Sequence, residues 1–149
     1  MCNCINIKMG SYDNQMLLKA PDWSRHEFLG IDICIAVEVW DLWQKGIITT
    51  GCCCGHNIAP AYIGVEFEFI PMMKDMGYEV LSNTIRPDDE DSFYPLSIDC
   101  DWIGNKVKCD LCAHEWWAVY IKSISKLECP HCKNMTQFEL LSKQSPKTK

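Results

Sequence analysis

Residues 109–132 read CDLCAHEWWAVYIKSISKLECPHC, and this stretch decides the fold of the C-terminal part of the chain. It contains two Cys-x2-Cys pairs, Cys109 with Cys112 and Cys129 with Cys132, separated by 16 residues. One tight turn can present two thiolates about 2.3 Å from a zinc ion, and a hairpin can bring two such turns together into a tetrahedron. We therefore predict a zinc ribbon over residues 105–141, with these four cysteines as metal ligands.

The segment between the two pairs has the composition of a strand with apolar residues on both faces. Trp116, Ala118 and Tyr120 would share one face with His114, while Trp117 and the residues that alternate with it would share the other. Because a small ribbon cannot bury both faces, we expect one of them to pack on the N-terminal part. The alternative is an exposed aromatic platform for a partner or for unpaired bases. Our candidate partner-binding residues are Trp116, Trp117 and Tyr120. Since four cysteines already satisfy a zinc ion, the neighbouring histidines are interpreted as structural.

A second group of cysteines lies in residues 51–57, which read GCCCGHN. Thiolates and imidazole nitrogens are the ligands that zinc prefers. We predict a second zinc site drawn from Cys34, Cys52, Cys53, Cys54 and His56, with Cys2 or Cys4 as further candidates. Two alternatives stay open, namely buried thiols without a metal, and a catalytic or open metal site in which His56 is the general base beside a reactive cysteine.

The pattern upstream of residue 85 predicts a small α+β unit. A helix is expected from Asp32, as its N-cap, to Gly46, with Ile33, Ala36, Val37, Trp40 and Trp43 on its buried face. Strands are expected at 47–50, 62–66 and 78–81, and a short helix at 71–76. We predict four segments: an α+β unit with the second zinc site (1–85), an acidic linker and strand (86–104), the ribbon (105–141) and a flexible tail (142–149).

Composition and charge narrow the possible functions. The 149 residues include 11 cysteines but no apolar run of the roughly 18 residues that a membrane span needs. No signal peptide can be recognised, so we expect a reducing, cytoplasmic location and metal ligation in place of disulfides. Residues 1–104 carry six basic against 16 acidic side chains, a net charge of −10, whereas residues 105–149 carry a net charge of +4.

Two stretches resemble known proteins. Residues 31–57, which include the TGCCCGH motif, and the YIGV motif at Tyr62–Val65 resemble a group of uncharacterised small cysteine-rich phage and prophage proteins. The run from Cys109 to Cys132 is similar to zinc ribbons of other small phage proteins. The resemblance implies a viral source, and therefore the cytoplasm of a host cell, but no assigned activity.

Together these features favour a non-enzymatic, zinc-binding phage accessory protein that binds a host macromolecule, for which a protein is the favoured class. Acidic residues 1–104 would repel phosphates. One alternative is nucleic-acid binding through lysines of the ribbon, namely Lys106, Lys108, Lys122, Lys126 and Lys133. The other is a metal- or thiol-dependent enzyme centred on Cys34, Cys53 and His56. We expect no membrane partner, and the sequence leaves the oligomeric state undetermined.

Overall fold

A computed structural model describes residues 2, 4, 7–8, 10–83, 85–86, 88–98 and 102–141 of the chain. These residues form short helices and antiparallel strands, so the predicted α+β class is confirmed. The predicted tail, residues 142–149, lies outside the described residues. In the described part of the chain, no helix has both the length and the apolar character that crossing a membrane requires.

The N-terminal part begins with a two-stranded hairpin that the sequence did not predict. Strands β1 (Gln15–Lys19) and β2 (Phe28–Asp32) pair antiparallel. Leu18 and Leu29 lie opposite each other and pack against the core. The outer face also carries apolar side chains, Leu17 and Phe28, which are exposed. The alternation of apolar and polar residues that usually reveals a half-buried strand is therefore hidden.

Helix α1 (Ala36–Gln44) begins four residues later than Asp32, which belongs to β2. The predicted start was wrong, and so was part of the predicted buried face. Val39 and Leu42 face the core together with Ala36 and Trp43, whereas the other predicted members are exposed: Ile33, Val37 and Trp40. The helix is apolar around most of its circumference, so periodicity alone could not select the buried side. Gly46, at a φ of 79°, ends the helix as predicted.

A three-stranded antiparallel sheet shares the main core with α1. It consists of β3 (Thr49–Cys53), β4 (Tyr62–Val65) and β5 (Ser92–Phe93), in the order β3-β4-β5. The strand predicted at residues 62–66 is confirmed, while the one predicted at 47–50 begins two residues later. Ile63, Val65 and Phe93 are almost fully buried in the same core as α1.

Helix α2 (Ile70–Asp75) confirms the predicted short helix, with Pro71 in its first turn. The predicted strand at residues 78–81 was wrong, because only an isolated bridge between Val80 and Phe93 forms there. Farther along, the predicted linker at 86–104 contains β5. Arg86 forms ion pairs with two acidic residues of this segment, since its guanidinium lies 2.9 Å from Asp89 and 3.1 Å from Asp91.

The C-terminal part contains five strands: β6 (Trp102–Cys109), β7 (Glu115–Ile121), β8 (Leu127–Glu128), β9 (Met135–Thr136) and β10 (Phe138–Leu140). Strands β10, β6 and β7 form one sheet in that order, and β8 pairs with β9. Val107, Ala118 and Tyr120 form a small core, against which Trp116 and Phe138 pack. The inward face of β7 is thus the predicted His114–Tyr120 face.

The opposite face of this sheet packs partly on the N-terminal part, as predicted. The indole Nε1 of Trp102 donates a hydrogen bond to the Asn57 carbonyl at 3.2 Å, and the Gly104 amide donates to the Tyr94 hydroxyl at 2.9 Å. A Cβ at Gly104 would lie 3.2 Å from the Ser82 carbonyl oxygen, so glycine permits this close approach. Beside the contact lies a cavity of about 500 Å³, which Val119 lines.

Two candidate metal centres

The two Cys-x2-Cys turns of the ribbon share one backbone geometry. The residue after each pair, Ala113 or Lys133, has a positive φ of 59° or 62°. Its amide donates to the carbonyl of the first cysteine, at 3.0 Å for Cys109 and 2.9 Å for Cys129. The amide of each first cysteine in turn donates a hydrogen bond to the carbonyl of the residue five positions later. This repeated turn points both thiols of a pair to the same side.

The four sulfur atoms of the ribbon fit a tetrahedral zinc ion. Cys109 Sγ lies 3.9 Å from Cys132 Sγ, and Cys112 Sγ lies 3.7 Å from Cys129 Sγ. All four lie within 4.8 Å of one another. Zinc–sulfur bonds of about 2.3 Å in a tetrahedron place the sulfurs about 3.8 Å apart, whereas a disulfide would need about 2.05 Å. The structure thus brings together the four predicted ligands of the ribbon.

Hydrogen bonds in the first cysteine turn lower the pKa of one thiol, that of Cys109. Burial raises the pKa of Cys109, but hydrogen bonds from the amides of Cys112 and Leu111 and from the thiols of Cys112 and Cys129 outweigh it and bring the pKa to about 7. At Cys112 the His114 amide lowers the pKa, while burial and the other cysteine sulfurs raise it to about 12. Four thiols this close cannot all ionise without a cation between them. A divalent ion would supply that charge.

A second set of four sulfurs lies in the N-terminal part, and its membership differs from our prediction. It consists of Cys2, Cys4, Cys34 and Cys54, all within 4.8 Å of one another. Cys4 Sγ lies 3.4 Å from Cys54 Sγ and 3.5 Å from Cys34 Sγ. These separations again suit a four-thiolate zinc site and exceed a disulfide bond. The two four-cysteine sets can therefore hold metal ions, and their chemistry is compatible with zinc.

Three separate chain segments build this N-terminal centre. Cys34 lies in the turn between β2 and α1, and Cys54 directly follows β3. The segment that contains Cys2 and Cys4 is fastened by amide side chains. Asn57 donates from Nδ2 to the Cys2 carbonyl at 2.9 Å and accepts from the Cys2 amide at 3.0 Å. Asn14 Nδ2 donates to Cys4 Sγ at 3.1 Å. The alternating Cys2 and Cys4 were the only sequence signal for this segment.

Cys52 and Cys53 lie in β3 and belong to neither four-cysteine set. Cys52 packs against the main core, and burial together with Asp32 raises its pKa to about 12. Cys53 Sγ accepts the Gly55 amide at 3.3 Å, although burial raises its pKa to about 11. Strand pairing fixes both positions, with Cys52 opposite Ile63 and Cys53 opposite Tyr62. Cys2 and Cys4, which the sequence offered as further candidates, are the residues that lie with Cys34 and Cys54 instead.

His56 lies beside the N-terminal centre, between a thiol and a carboxylate. Its Nδ1 is 3.5 Å from Cys54 Sγ, and its Nε2 is 3.7 Å from an oxygen of Asp32. Asp32 also accepts the Cys54 amide at 2.9 Å and the Gln15 amide side chain at 3.4 Å. Asp32, Cys54 and His56 are all buried, and sequence reasoning assigned Asp32 only a helix-capping role. The pair is placed to orient Cys54 from outside the sulfur set.

The loop that carries His56 has an uncommon backbone. Gly55, His56 and Asn57 have positive φ angles of 74°, 47° and 60°. A Cβ at Gly55 would lie 2.9 Å from the Ala61 amide nitrogen, so only glycine fits there. Successive left-handed residues are unfavourable for L-amino acids and persist where surrounding contacts hold them. Here the contacts of Asn57 with Cys2 hold the loop against the N-terminal segment.

The same geometry bears on the catalytic alternative. Cys54, His56 and Asp32 follow the order of nucleophile, base and orienting acid, whereas the sequence offered no acidic group to orient the histidine. However, Cys54 and His56 expose only 2% and 4% of their surface. Burial also raises the pKa of the Cys54 thiol, and three other sulfurs surround it. The arrangement therefore suits metal ligation better than attack on a substrate.

The three candidate partner-binding aromatics occupy different environments. Tyr120 is 4% exposed and belongs to the ribbon core, where its hydroxyl accepts a hydrogen bond from Asn105. Trp116 is half-buried against that core, and its ring stacks on His114, which in turn stacks on His131 with centroids 5.2 Å apart. Trp117 lies on the opposite face of the sheet and is also half-buried. Only Trp117 is separate from the ribbon core.

Comparison of the chain with protein-family models, curated proteins and solved structures gives no match.

Proposed function

We propose that the protein is a non-enzymatic zinc-binding protein whose two four-cysteine centres hold its fold together and which acts by binding another protein. The observation that carries this proposal is the completeness of both centres. Each offers four sulfur atoms at zinc-ligand spacing. A zinc ion with four protein ligands has no coordination position for a substrate or an activated water. Function would therefore reside on the surface that the centres support.

The need for metal follows from the architecture. The main core involves short elements, and its longest helix has only nine residues. Cys2 and Cys4 join this core, and sulfur and amide contacts fasten them there. Structural zinc contributes its binding free energy to folding, which small domains with short elements need.

Charge favours a protein over a nucleic acid as the partner. The described ribbon, residues 105–141, contains five lysines against four acidic residues, and Lys106 already pairs with Glu115 at 2.9 Å. Four thiolates around a divalent zinc ion add about two negative charges, so this part offers no strongly cationic surface. Its resemblance to phage proteins supports placing the function in the cytoplasm of a host cell, with a host protein as the partner.

Native mass spectrometry of the purified protein tests the metal assignment. We expect two zinc ions per chain, both removed only under denaturing or strongly acidic conditions. A single zinc ion, or none, would contradict the proposal of two structural centres. Affinity capture from host cells tests the class of partner. Retention of a protein after nuclease treatment is expected, whereas capture that is lost with nuclease would favour the nucleic-acid alternative.

A substitution on the Trp117 face of the ribbon sheet tests whether that face takes part in partner binding. Trp117→Ala removes an aromatic ring outside the ribbon core and is expected to weaken capture while zinc content stays at two. Leu111→Ala is the matched control, since Leu111 is exposed in the first cysteine turn. Unchanged capture by Trp117→Ala would exclude this face.

A further inference from the structure

An exposed aromatic surface lies in the N-terminal part of the chain, far in sequence from the cysteine turns of the ribbon. Trp23, Val37 and Trp40, which we call the tryptophan ridge, are 39%, 70% and 36% exposed. The rings of Trp23 and Trp40 both contact Trp43 edge to face, with centroids 6.2 Å and 6.4 Å away. Val37 lies one helical turn before Trp40 on α1. These contacts join the three residues into one surface.

The ridge rests on a fixed base. Trp43 is buried, and its indole Nε1 donates a hydrogen bond to the Thr49 hydroxyl of β3 at 2.9 Å. Because Trp43 contacts both exposed indoles, their orientation is determined before any partner arrives. Such pre-organised tryptophans lose little conformational entropy on binding, and tryptophan is enriched among residues that dominate binding energy.

The electrostatic surroundings of the ridge are acidic. Asp22 is exposed next to Trp23, and Asp41 is exposed one turn after Val37. The segment that forms the ridge, residues 20–47, contains five acidic side chains, of which Asp32 is buried, against two basic ones. Residues 1–104 as a whole carry a net charge of −10. This field repels nucleic acid, anionic lipid and, at a net charge of −6 per chain, a second copy of the protein.

We propose that the tryptophan ridge docks a cationic polypeptide segment with an apolar anchor, in which lysine or arginine flanks a large hydrophobic residue. Basic side chains would contact the indole faces and the carboxylates of Asp22 and Asp41, while the anchor packs beside Val37. The inference rests on the proposed function, since it adds to the Trp117 face a second surface, and its chemistry, with which the chain would bind a protein.

Selection of a random-sequence peptide library on the zinc-loaded full chain tests the proposal. We expect the selected peptides to be enriched in lysine, arginine and large apolar residues, and their affinity to fall with increasing salt. Trp40→Ala should lower the affinity of the selected peptides about tenfold or more. Leu17→Ala, which truncates an exposed aliphatic side chain of the β1–β2 hairpin, is the matched control and should weaken them less than about twofold.

A charge reversal provides a second variant that does not touch the aromatic rings. Asp41→Lys should weaken the selected peptides at low salt, whereas Asp75→Lys, the same change at the end of α2, should have a much smaller effect. Failure to select any peptide, selection of acidic or uncharged peptides, or full affinity in Trp40→Ala would each overturn the docking proposal. Zinc content of the same samples separates the outcomes, because a zinc count below two would instead contradict the proposed function.

Discussion

The two candidate metal centres each consist of four cysteine sulfur atoms, but they are assembled in opposite ways. In the ribbon, all four cysteines lie within residues 109–132, and two copies of one backbone turn present them. In the N-terminal centre, Cys2 and Cys4, Cys34, and Cys54 come from three segments that only the fold brings together. The ribbon centre is thus largely local, whereas the N-terminal centre depends on the hairpin, α1 and β3 being in place.

The surroundings of the two centres also differ, since those of the N-terminal centre are buried and those of the ribbon centre are exposed. The N-terminal centre lies against a buried histidine and carboxylate and against a loop of left-handed residues. Beside the ribbon centre, Lys106 and Glu115 form an exposed ion pair, and His131 stacks on His114 near the surface. Loss of the N-terminal centre should therefore disturb more of the molecule than a change at the ribbon surface.

The largest effect is expected from Cys54→Ser. Removing this sulfur leaves three ligands and unfastens the segments that meet at the N-terminal centre, so zinc content should fall from two to one. The free energy of unfolding should drop by more than about 4 kcal/mol, the range typical of a lost structural metal. Cys52→Ser is the matched control, because Cys52 lies in the adjacent strand outside both sets. Native mass spectrometry and urea denaturation measure both quantities, and two retained zinc ions in Cys54→Ser would refute the assignment.

The two centres should release zinc at different pH values on acidification. Hydrogen bonds from amides and thiols lower the pKa of Cys109 to about 7, below its ordinary 9.0, while that of Cys112 is raised. At the N-terminal centre, burial raises the pKa of Cys54. A raised thiol pKa helps protons compete with zinc, and a lowered one hinders them. In the metal-free ribbon, the stability contributed by the Cys109 thiolate is full above about pH 9 and lost as the pH falls through about 7.

We therefore expect zinc release in two steps as the pH falls, with the N-terminal centre first. A chromogenic zinc indicator follows the release, and Cys54→Ser should lack the first step. If Cys132→Ser lacked the first step instead, the order would be reversed and the pKa argument wrong.

A smaller effect is expected from Gly55→Ala in the loop beside the N-terminal centre. The substitution combines a left-handed φ with a Cβ 2.9 Å from the Ala61 amide nitrogen, and it should lower the free energy of unfolding by about 2–3 kcal/mol. Gly46→Ala is the control, since Gly46 has a similar φ of 79° but no atom within 4 Å of the added carbon. It should cost about 1 kcal/mol. Equal urea midpoints for the two variants would show that the steric contact is relieved.

The smallest effect is expected from Glu115→Gln at the ribbon surface. Hydrogen bonding and charge attraction from Lys106 lower the pKa of Glu115, so any contribution is present at neutral pH and fades as the carboxylate becomes protonated. Exposed ion pairs contribute little because water and salt screen them, and the urea midpoint should not change measurably. Asp32→Asn tests a buried carboxylate for comparison and should lower the midpoint clearly, since Asp32 contacts His56. Similar shifts in both variants would contradict the contrast between the centres.

Part of the N-terminal fold was also open to prediction. The strand at 62–66 and the helix at 71–76 follow from β-branched residues and from a proline and a glycine at the expected helix positions. The sequence did not predict the β1–β2 hairpin because its outer face carries apolar side chains. It predicted the wrong buried face for α1 because tryptophan and valine occur on the exposed side of that helix. That error is informative, since the misassigned Val37 and Trp40 form the tryptophan ridge.

By itself, the sequence determined the α+β class and the four cysteines that the ribbon brings together, because two Cys-x2-Cys turns impose their geometry over a few residues. The tertiary structure decided which cysteines form the second set, bringing in Cys2 and Cys4 and leaving Cys52 and Cys53 in β3. It also placed Asp32 beside His56. A site built from distant segments depends on strand register and loop conformation, which residue spacing does not specify.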